Sequence, residues 1–275
     1  MALLAAGTAV AQQVVYSSIP LNLPGNVSSL GYEATATAEF GDRVQLIEPP
    51  FLGRGVPPVP GTVNIRKVTV VMSSWGCQTG SWVTNDCVTT PGATFKHPIT
   101  LNIYADGAPG SLLPGALVFT KTQTFAIPYR PSASPGCTGG AWMHSTLVRG
   151  GPPATQCYNG IATKITFNFE QPIAMPKKLV WGITYDTTHY GAHPIGQAAP
   201  CFSSSGGCGY DSLNVGAKSF EPVTGVDVDP NGAYWNTSYA PNYCDGGAAG
   251  AGTFRLDDSP TCWTGYRPMI EFAQY

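Results

Sequence analysis

Through much of this chain, apolar residues recur at every second position and almost nowhere at every third or fourth. Leu179, Trp181, Ile183 and Tyr185 fall in step over 179–185. Over 99–104, Leu101 and Ile103 oppose Thr100 and Asn102; over 162–169, Ile165, Phe167 and Phe169 oppose Thr166 and Asn168. Successive side chains of an extended strand point to opposite faces, so this spacing buries one face of a sheet and gives a helix no apolar stripe. The same reading applies to 63–72, 117–127 and 268–273. It also applies to 32–40, where Ala34, Ala36, Ala38 and Phe40 alternate with Thr35, Thr37 and Glu39. In 63–72 the alternation slips between Ile65 and Val68, which predicts a bulge. No window shows a 3.6-residue apolar period, and no internal repeat is present.

Glycine (33) and proline (25) punctuate the 275 residues and cluster at 49–61, 131–140, 150–160 and 191–209, which read as long loops. Hydrophobic residues make up 43%, enough for a sizeable core. Charged residues make up only 11%, against about 25% in ordinary domains, which excludes a coiled coil. A net charge of −2 gives no electrostatic footprint for a nucleic acid partner. No apolar run approaches the roughly 20 residues that cross a bilayer as a helix. The expectation is an all-β fold: an antiparallel β-sandwich, jelly-roll-like, with long disulfide-stapled loops, forming one domain over 12–275. Two smaller β-domains divided near 136–160 are the alternative.

The chain opens MALLAAGTAVAQQ, and Ala9-Val10-Ala11 is a small-x-small cleavage pattern after an apolar stretch. Residues 1–11 are therefore expected to be the remnant of a signal peptide, with the protein exported to the extracellular space or cell surface. Cys77, Cys87, Cys137, Cys157, Cys201, Cys208, Cys244 and Cys262 all lie beyond that point, and none forms a C-x-x-C pair. This argues for disulfides rather than a zinc ribbon or thioredoxin-like redox site. Spacing does not choose the pairing. Neighbours in sequence (77 with 87, 137 with 157, 201 with 208, 244 with 262) are the expectation, each stapling one Gly-rich loop.

The segment PITLNIYADGAPGSLLPG at 98–115 resembles a strand-turn signature of secreted bacterial β-sandwich domains. Together with LPGNVSSLGYEATATAEFGD, PYRPSASPGC, KLVWGITYDTTHYGAHPIG, DSLNVG and WNTS, it makes 14–272 resemble an uncharacterised family of secreted bacterial proteins of jelly-roll-like fold. The resemblance implies compartment and fold and carries no activity. Jelly-roll domains of this general sort often bind glycans or sit on cell surfaces, which is analogy, because a fold does not fix a function.

Several groups of residues have the composition of chemical sites. Asp227-Val-Asp229-Pro-Asn231-Gly232 matches the opening of a D-x-D-x-N-G calcium loop, in which alternate oxygen side chains converge on one cation. Ser238 stands where an EF-hand has its bidentate Glu and no helices flank the loop, so an EF-hand is rejected. A structural Ca2+ loop using Asp227, Asp229 and Asn231, with Asp245 or Asp257 added, stands against an Asx-rich turn satisfied by its own backbone. Asp186, His189 and His193 could hold a transition metal or simply be polar loop residues. G-x-S-x-G, H-E-x-x-H and the P-loop are absent. Ser203-Ser204-Ser205 between Cys201 and Cys208 reads as a tight disulfide loop. Glycoside hydrolysis needs two carboxylates roughly 5–10 Å apart. If 162–169 and 179–185 form a hairpin, Glu170 and Asp186 sit at its opposite ends. Glu33 and Glu39 have the same fault, and Asp257-Asp258 would point apart.

Aromatic residues remain: 6 Trp and 13 Tyr, including Trp75, Trp82, Trp142, Tyr210, Trp263 and Tyr266 in loops. An exposed flat ring covers the apolar face of a sugar while neighbouring polar groups bind its hydroxyls. The densest cluster sets Trp235, Tyr239 and Tyr243 among Asn236, Asn242 and Asp245. Asn26-Val-Ser28 and Asn236-Thr-Ser238 are glycosylation sequons, relevant only in a eukaryotic secretory pathway. The functional expectation is a secreted, non-catalytic sandwich that binds extracellular polysaccharide or cell-wall glycan through loop aromatics. The alternatives are a secreted polysaccharide hydrolase and a self-associating surface or matrix protein.

Overall fold

In the computed structural model, residues 13–48, 59–80, 82, 84–146, 154–186, 213–218, 222–259 and 261–274 are described. Among them the strands are β1 (Gln13–Ser17), β2 (Ser29–Leu30), β3 (Thr37–Gln45), β4 (Thr62–Ser74), β5 (Thr94–Ala105), β6 (Leu117–Pro128), β7 (Trp142–Thr146) and β8 (Ala154–Tyr158). They continue as β9 (Ile161–Pro176), β10 (Lys178–Thr184), β11 (Leu213–Lys218), β12 (Val226–Asp227), β13 (Gly232–Thr237), β14 (Arg255–Asp258), β15 (Arg267–Pro268) and β16 (Ile270–Gln274). One sheet runs β1-β16-β4-β11-β15, with β2 on β11 and β9 on β4. The other runs β14-β13-β3-β10-β5-β6, with β12 on β3. Strands from both halves of the chain mix in each sheet, and all pairings are antiparallel. The β7–β8 hairpin forms a small sheet of its own.

The two large sheets pack through the alternating residues that define the strands. Val68, Val70, Met72, Phe167 and Phe272 of the first meet Phe40, Val44, Leu101, Ile103, Trp181, Ile183 and Trp235 of the second in one core. Each fully buried side chain of this size contributes about 1.5–3 kcal/mol, which is what holds the layers together. The predicted slip in β4 is present: the β4–β9 register shifts between Ile65 and Lys67, so Val63 and Ile65 point inward on one side of it and Val68 and Val70 on the other. Cys77–Cys87, Cys137–Cys157 and Cys244–Cys262 are bonded as neighbours in sequence. Cys201 and Cys208 lie outside the described residues, as do residues 1–12 and both His189 and His193. No helix among the described residues is long and apolar enough to cross a membrane.

Three local expectations are corrected. Residues 32–36 are turns rather than strand, closed by Thr35 N–H to Gly31 O (2.9 Å) and Thr37 N–H to Tyr32 O (2.8 Å), with Ala36 at φ 50°. The segment instead buries Tyr32, stacked on Tyr185 (ring centroids 4.3 Å) and donating to Ile183 O (2.7 Å). The β9 and β10 strands are not a hairpin: β9 pairs with β4, and β10 lies between β3 and β5 in the opposite sheet. Part of the 150–160 loop is β8, whose residues Ala154–Cys157 are exposed and so show no apolar alternation.

Polar groups also enter the sandwich. Asp42 follows Phe40 and precedes Val44 on the inward face of β3. Burial, reinforced by the nearby Asp227 carboxylate, holds its pKa well above the ordinary carboxylate range. Arg267 on β15 pairs with Asp227 on β12 (2.6 Å) and donates to Pro230 O (3.0 Å), tying one sheet to the other.

Candidate functional site

The 235–245 cluster is built as core, not as a binding face. Trp235 sits inside β13, 4% exposed, because its cross-strand partner is the inward Phe40. Its indole N–H donates to Thr37 Oγ1 (2.7 Å) and its ring meets Trp263 edge-on (5.3 Å) and Tyr243 at a tilt (5.6 Å). Tyr243, 2% exposed, donates from its hydroxyl to Thr253 O (2.9 Å) and carries the Arg255 guanidinium over its ring at 3.8 Å. Asn242, in a short 3-10 turn (Ala240–Asn242), donates to Thr35 O (2.8 Å). Asp245 pairs with Arg255 (2.9 Å) and caps Gly247 N–H (2.8 Å). Asn236 is half-buried beside Glu39 across the β3–β13 pair. Only Tyr239, 43% exposed, offers a ring to solvent. The sequence signal failed here because Asn and Asp beside aromatics also describes a core corner in which every N–H and O–H needs a partner.

The predicted calcium residues are likewise spoken for. Asp229 N–H donates to Asp227 Oδ1 (3.0 Å), which makes the segment an Asx turn. Asp229 forms a two-pronged pair with Arg43, 2.6 Å on each prong, while Arg43 also reaches Asp106 (3.3 Å) and Lys178 pairs with Asp106 (2.8 Å). Asp227 faces Arg267, and Asn231 is exposed beyond them. Two guanidinium groups on these carboxylates oppose a divalent cation. Asp257 is also committed, accepting from the Cys244 N–H (3.0 Å) and the Trp263 indole (2.9 Å), with its pKa raised by burial. Cys244, Asp257 and Cys262 form the one group of three metal-ligand types close together among the described residues, and there the two sulfurs are bonded to each other.

A surface cavity of about 370 Å³ lies elsewhere, lined by Pro24, Asn26, Val27, Ser28, Gln156, Tyr158, Lys218, Thr264, Gly265 and Tyr266. Its parts come from four places in the chain: the segment before β2, the end of β8, the end of β11, and the loop before β15. Two of these are held by disulfides. Cys157 sits between Gln156 and Tyr158, and Cys262 lies two residues before Thr264. Tyr158 is held from behind by Trp142 (5.9 Å) and His144 (6.2 Å), and its hydroxyl donates to Gln156 Oε1 (2.6 Å). Gly25 makes that approach feasible, since a Cβ there would lie 2.7 Å from the Tyr158 ring. Asn26 Oδ1 accepts from Ser73 (2.8 Å), whose hydroxyl in turn accepts from the Trp75 indole (3.0 Å), which fixes the amide. Tyr266 is 49% exposed.

The cavity therefore combines two tyrosine rings, two side-chain amides, two hydroxyl residues and one lysine, with no carboxylate among its described lining residues. Sequence reading named Tyr266 as a loop aromatic and missed Tyr158, Asn26 and Gln156. The available signal was indirect: a cysteine flanked by Gln and Tyr in a stapled loop. Glu170 and Asp186, weighed as an acid/base pair, lie on strand regions of opposite sheets and away from this lining. The chain matched no protein-family model, no curated protein and no solved structure.

Proposed function

We propose that this chain is a secreted, non-catalytic module that binds extracellular polysaccharide or cell-wall glycan, and that it does so through the Tyr158–Tyr266 cavity rather than through Trp235. One observation carries the reading: a preformed cavity whose lining joins aromatic faces to fixed amides and hydroxyls. Sugar rings present that same pair of surfaces, an apolar face of C–H groups and an edge of hydroxyls, and pockets of mixed apolar and placed polar groups suit them. Three disulfides fit an oxidising compartment. A hydrolase would need an acid and a base at the bound sugar, and the described lining supplies neither. The test is incubation of the oxidised protein with plant, fungal and bacterial polysaccharides, reading retention and released sugar together. Retention without release is expected, and it should fall in Tyr266→Ala. Failure to be retained on any member of the panel, or release of sugar, would overturn the reading.

Self-association is a second reading, favoured by exposed Leu112, Leu113, Leu117 and Val118 around the β5–β6 turn. Contiguous exposed leucines on a soluble domain often mark a contact surface. Light scattering across a wide concentration range tests it, and a strictly monomeric protein removes it.

A further inference from the structure

We infer that the cavity takes the end of a glycan chain, one or two sugar rings, and not the interior of a long chain. The inference rests on the glycan-binding reading above and adds which part of the polymer is recognised. At roughly 30 Å³ per water in the liquid, a cavity of about 370 Å³ holds about a dozen waters. That is the room of one or two pyranose rings with their hydroxyls. It lies near the small end of the roughly 300–1,000 Å³ range of ligand pockets.

The lining is also short along the chain. No lining segment runs longer than Pro24–Ser28, and the strands that contribute place there only Gln156 and Tyr158 at the end of β8 and Lys218 at the end of β11. Gripping a chain interior needs a ladder of rings and hydrogen-bonding groups repeated along a sheet face. The outer face of the larger β5–β6 hairpin offers no such exposed ladder: Thr100, Thr120, Thr122 and Thr124 lie on it, with Thr120 and Thr122 bonded to Asn102 and Thr100, and Tyr104 packs on Phe254, which with Tyr234 is buried. Four separate segments around one compact cavity, two of them fixed by disulfides, make a site preorganised for one small unit.

The experiment is a length series. Cello-, xylo- and chito-oligosaccharides of one to six units are titrated against the oxidised, full-length protein, alongside their parent polymers. Each polymer is also tested after mild fragmentation at constant mass. In the series that binds, affinity should stop rising by two units, and the capacity of the polymer should increase in step with its number of chain ends. Tyr266→Ala should weaken the disaccharide about tenfold with the fold intact by near-ultraviolet circular dichroism. Affinity that climbs through four to six units, or capacity that follows mass and not ends, overturns end recognition while leaving glycan binding in place. Flat titrations for every oligomer and polymer overturn both.

Discussion

Two aromatic regions of this molecule look alike in sequence and differ in kind. The Trp235–Tyr243–Trp263 group and the Tyr158–Tyr266 pair both sit beside a disulfide and among Asn, Gln and Thr. In the first, every polar tip is consumed internally: Trp235 by Thr37, Tyr243 by Thr253, Trp263 by Asp257. The rings are then free to do only one thing, which is to fill the sandwich core beneath the paired strands β3 and β13. In the second, the Tyr158 hydroxyl is also satisfied, by Gln156, but its ring and the exposed ring of Tyr266 line an open cavity. What separates a core aromatic from a site aromatic is how much of its face water can reach, and that property does not belong to the residue type.

The largest expected effect lies in the first region. Trp235→Ala removes a buried indole that fills the core and the N–H that Thr37 Oγ1 accepts, leaving that hydroxyl its bond to Thr35. It should cost about 3–5 kcal/mol, as large core truncations do, measured by denaturant unfolding. A loss below about 1 kcal/mol, the range of a tolerant surface site, would show that the ring is not holding the sheets together. In the second region the matching cut is covalent. Replacing Cys137 and Cys157 with Ser opens a loop of 20-residue separation, for which chain entropy predicts about 3 kcal/mol. Because Cys157 sits between Gln156 and Tyr158, glycan retention should fall further than in the Cys77→Ser/Cys87→Ser variant, whose bridge lies away from the lining. Equal losses in the two variants would detach the hairpin from the site.

Asp42 provides a smaller effect with a definite sign. Its native pKa is raised by burial and then by Asp227, with Asp229 adding to the rise and Arg267 and the Arg43 N–H opposing it. A raised native pKa means the folded state holds the proton more tightly than the unfolded chain. That contribution is fully present below the unfolded value near 3.9 and is lost as pH rises toward the native value. Over that window the slope is on the order of 1.4 kcal/mol per pH unit for the one proton. Asp42→Asn should remove this fall, so the variant gains on the parent as pH increases. Parallel stability–pH curves for the two proteins would mean that Asp42 does not titrate as its surroundings require.

The strands most legible in sequence are those in which large apolar residues recur at every second position. In β5 Ile99, Leu101 and Ile103, and in β9 Ile165, Phe167 and Phe169, alternate with more exposed polar residues, and the β4 slip was visible because Ile65 and Val68 break the apolar rhythm. The short strands were not legible. β8 is exposed along most of its length and shows no period of two, while β11 alternates Leu213, Val215 and Ala217 with Asn214 and Gly216 but is only 6 residues long. Spacing did not choose the disulfide pairing, though the expected neighbours are bonded at Cys77–Cys87, Cys137–Cys157 and Cys244–Cys262; the cavity was not expected at all. Asn26, Tyr158, Lys218 and Tyr266 are separated by long stretches of chain, and only the folding of β8 and the 264–266 loop toward the segment before β2 gathers them. Asp227 and Asp229 misled because a cation loop and an Asx turn share residue types. The difference lies in Arg43 and Arg267, which arrive from distant strands.

The finest test sets one exposed tyrosine from each region against the other. Tyr239 is 43% exposed and Tyr266 is 49% exposed, so replacing either with Ala should change stability by no more than about 0.5 kcal/mol. Their effects on binding should part. Tyr239 follows a core strand and lies outside the cavity, whereas Tyr266 lines it in a turn closed by its own N–H to Trp263 O (2.9 Å). Tyr266→Ala should weaken glycan retention about tenfold, roughly the 1.4 kcal/mol of one good ring contact, and Tyr266→Phe should keep most of it, since the ring face carries the contact. Tyr239→Ala should bind as the parent does. If Tyr239→Ala is the variant that loses binding, exposure alone has located the site, the 235–245 segment regains its place, and the cavity becomes a surface hollow of the fold.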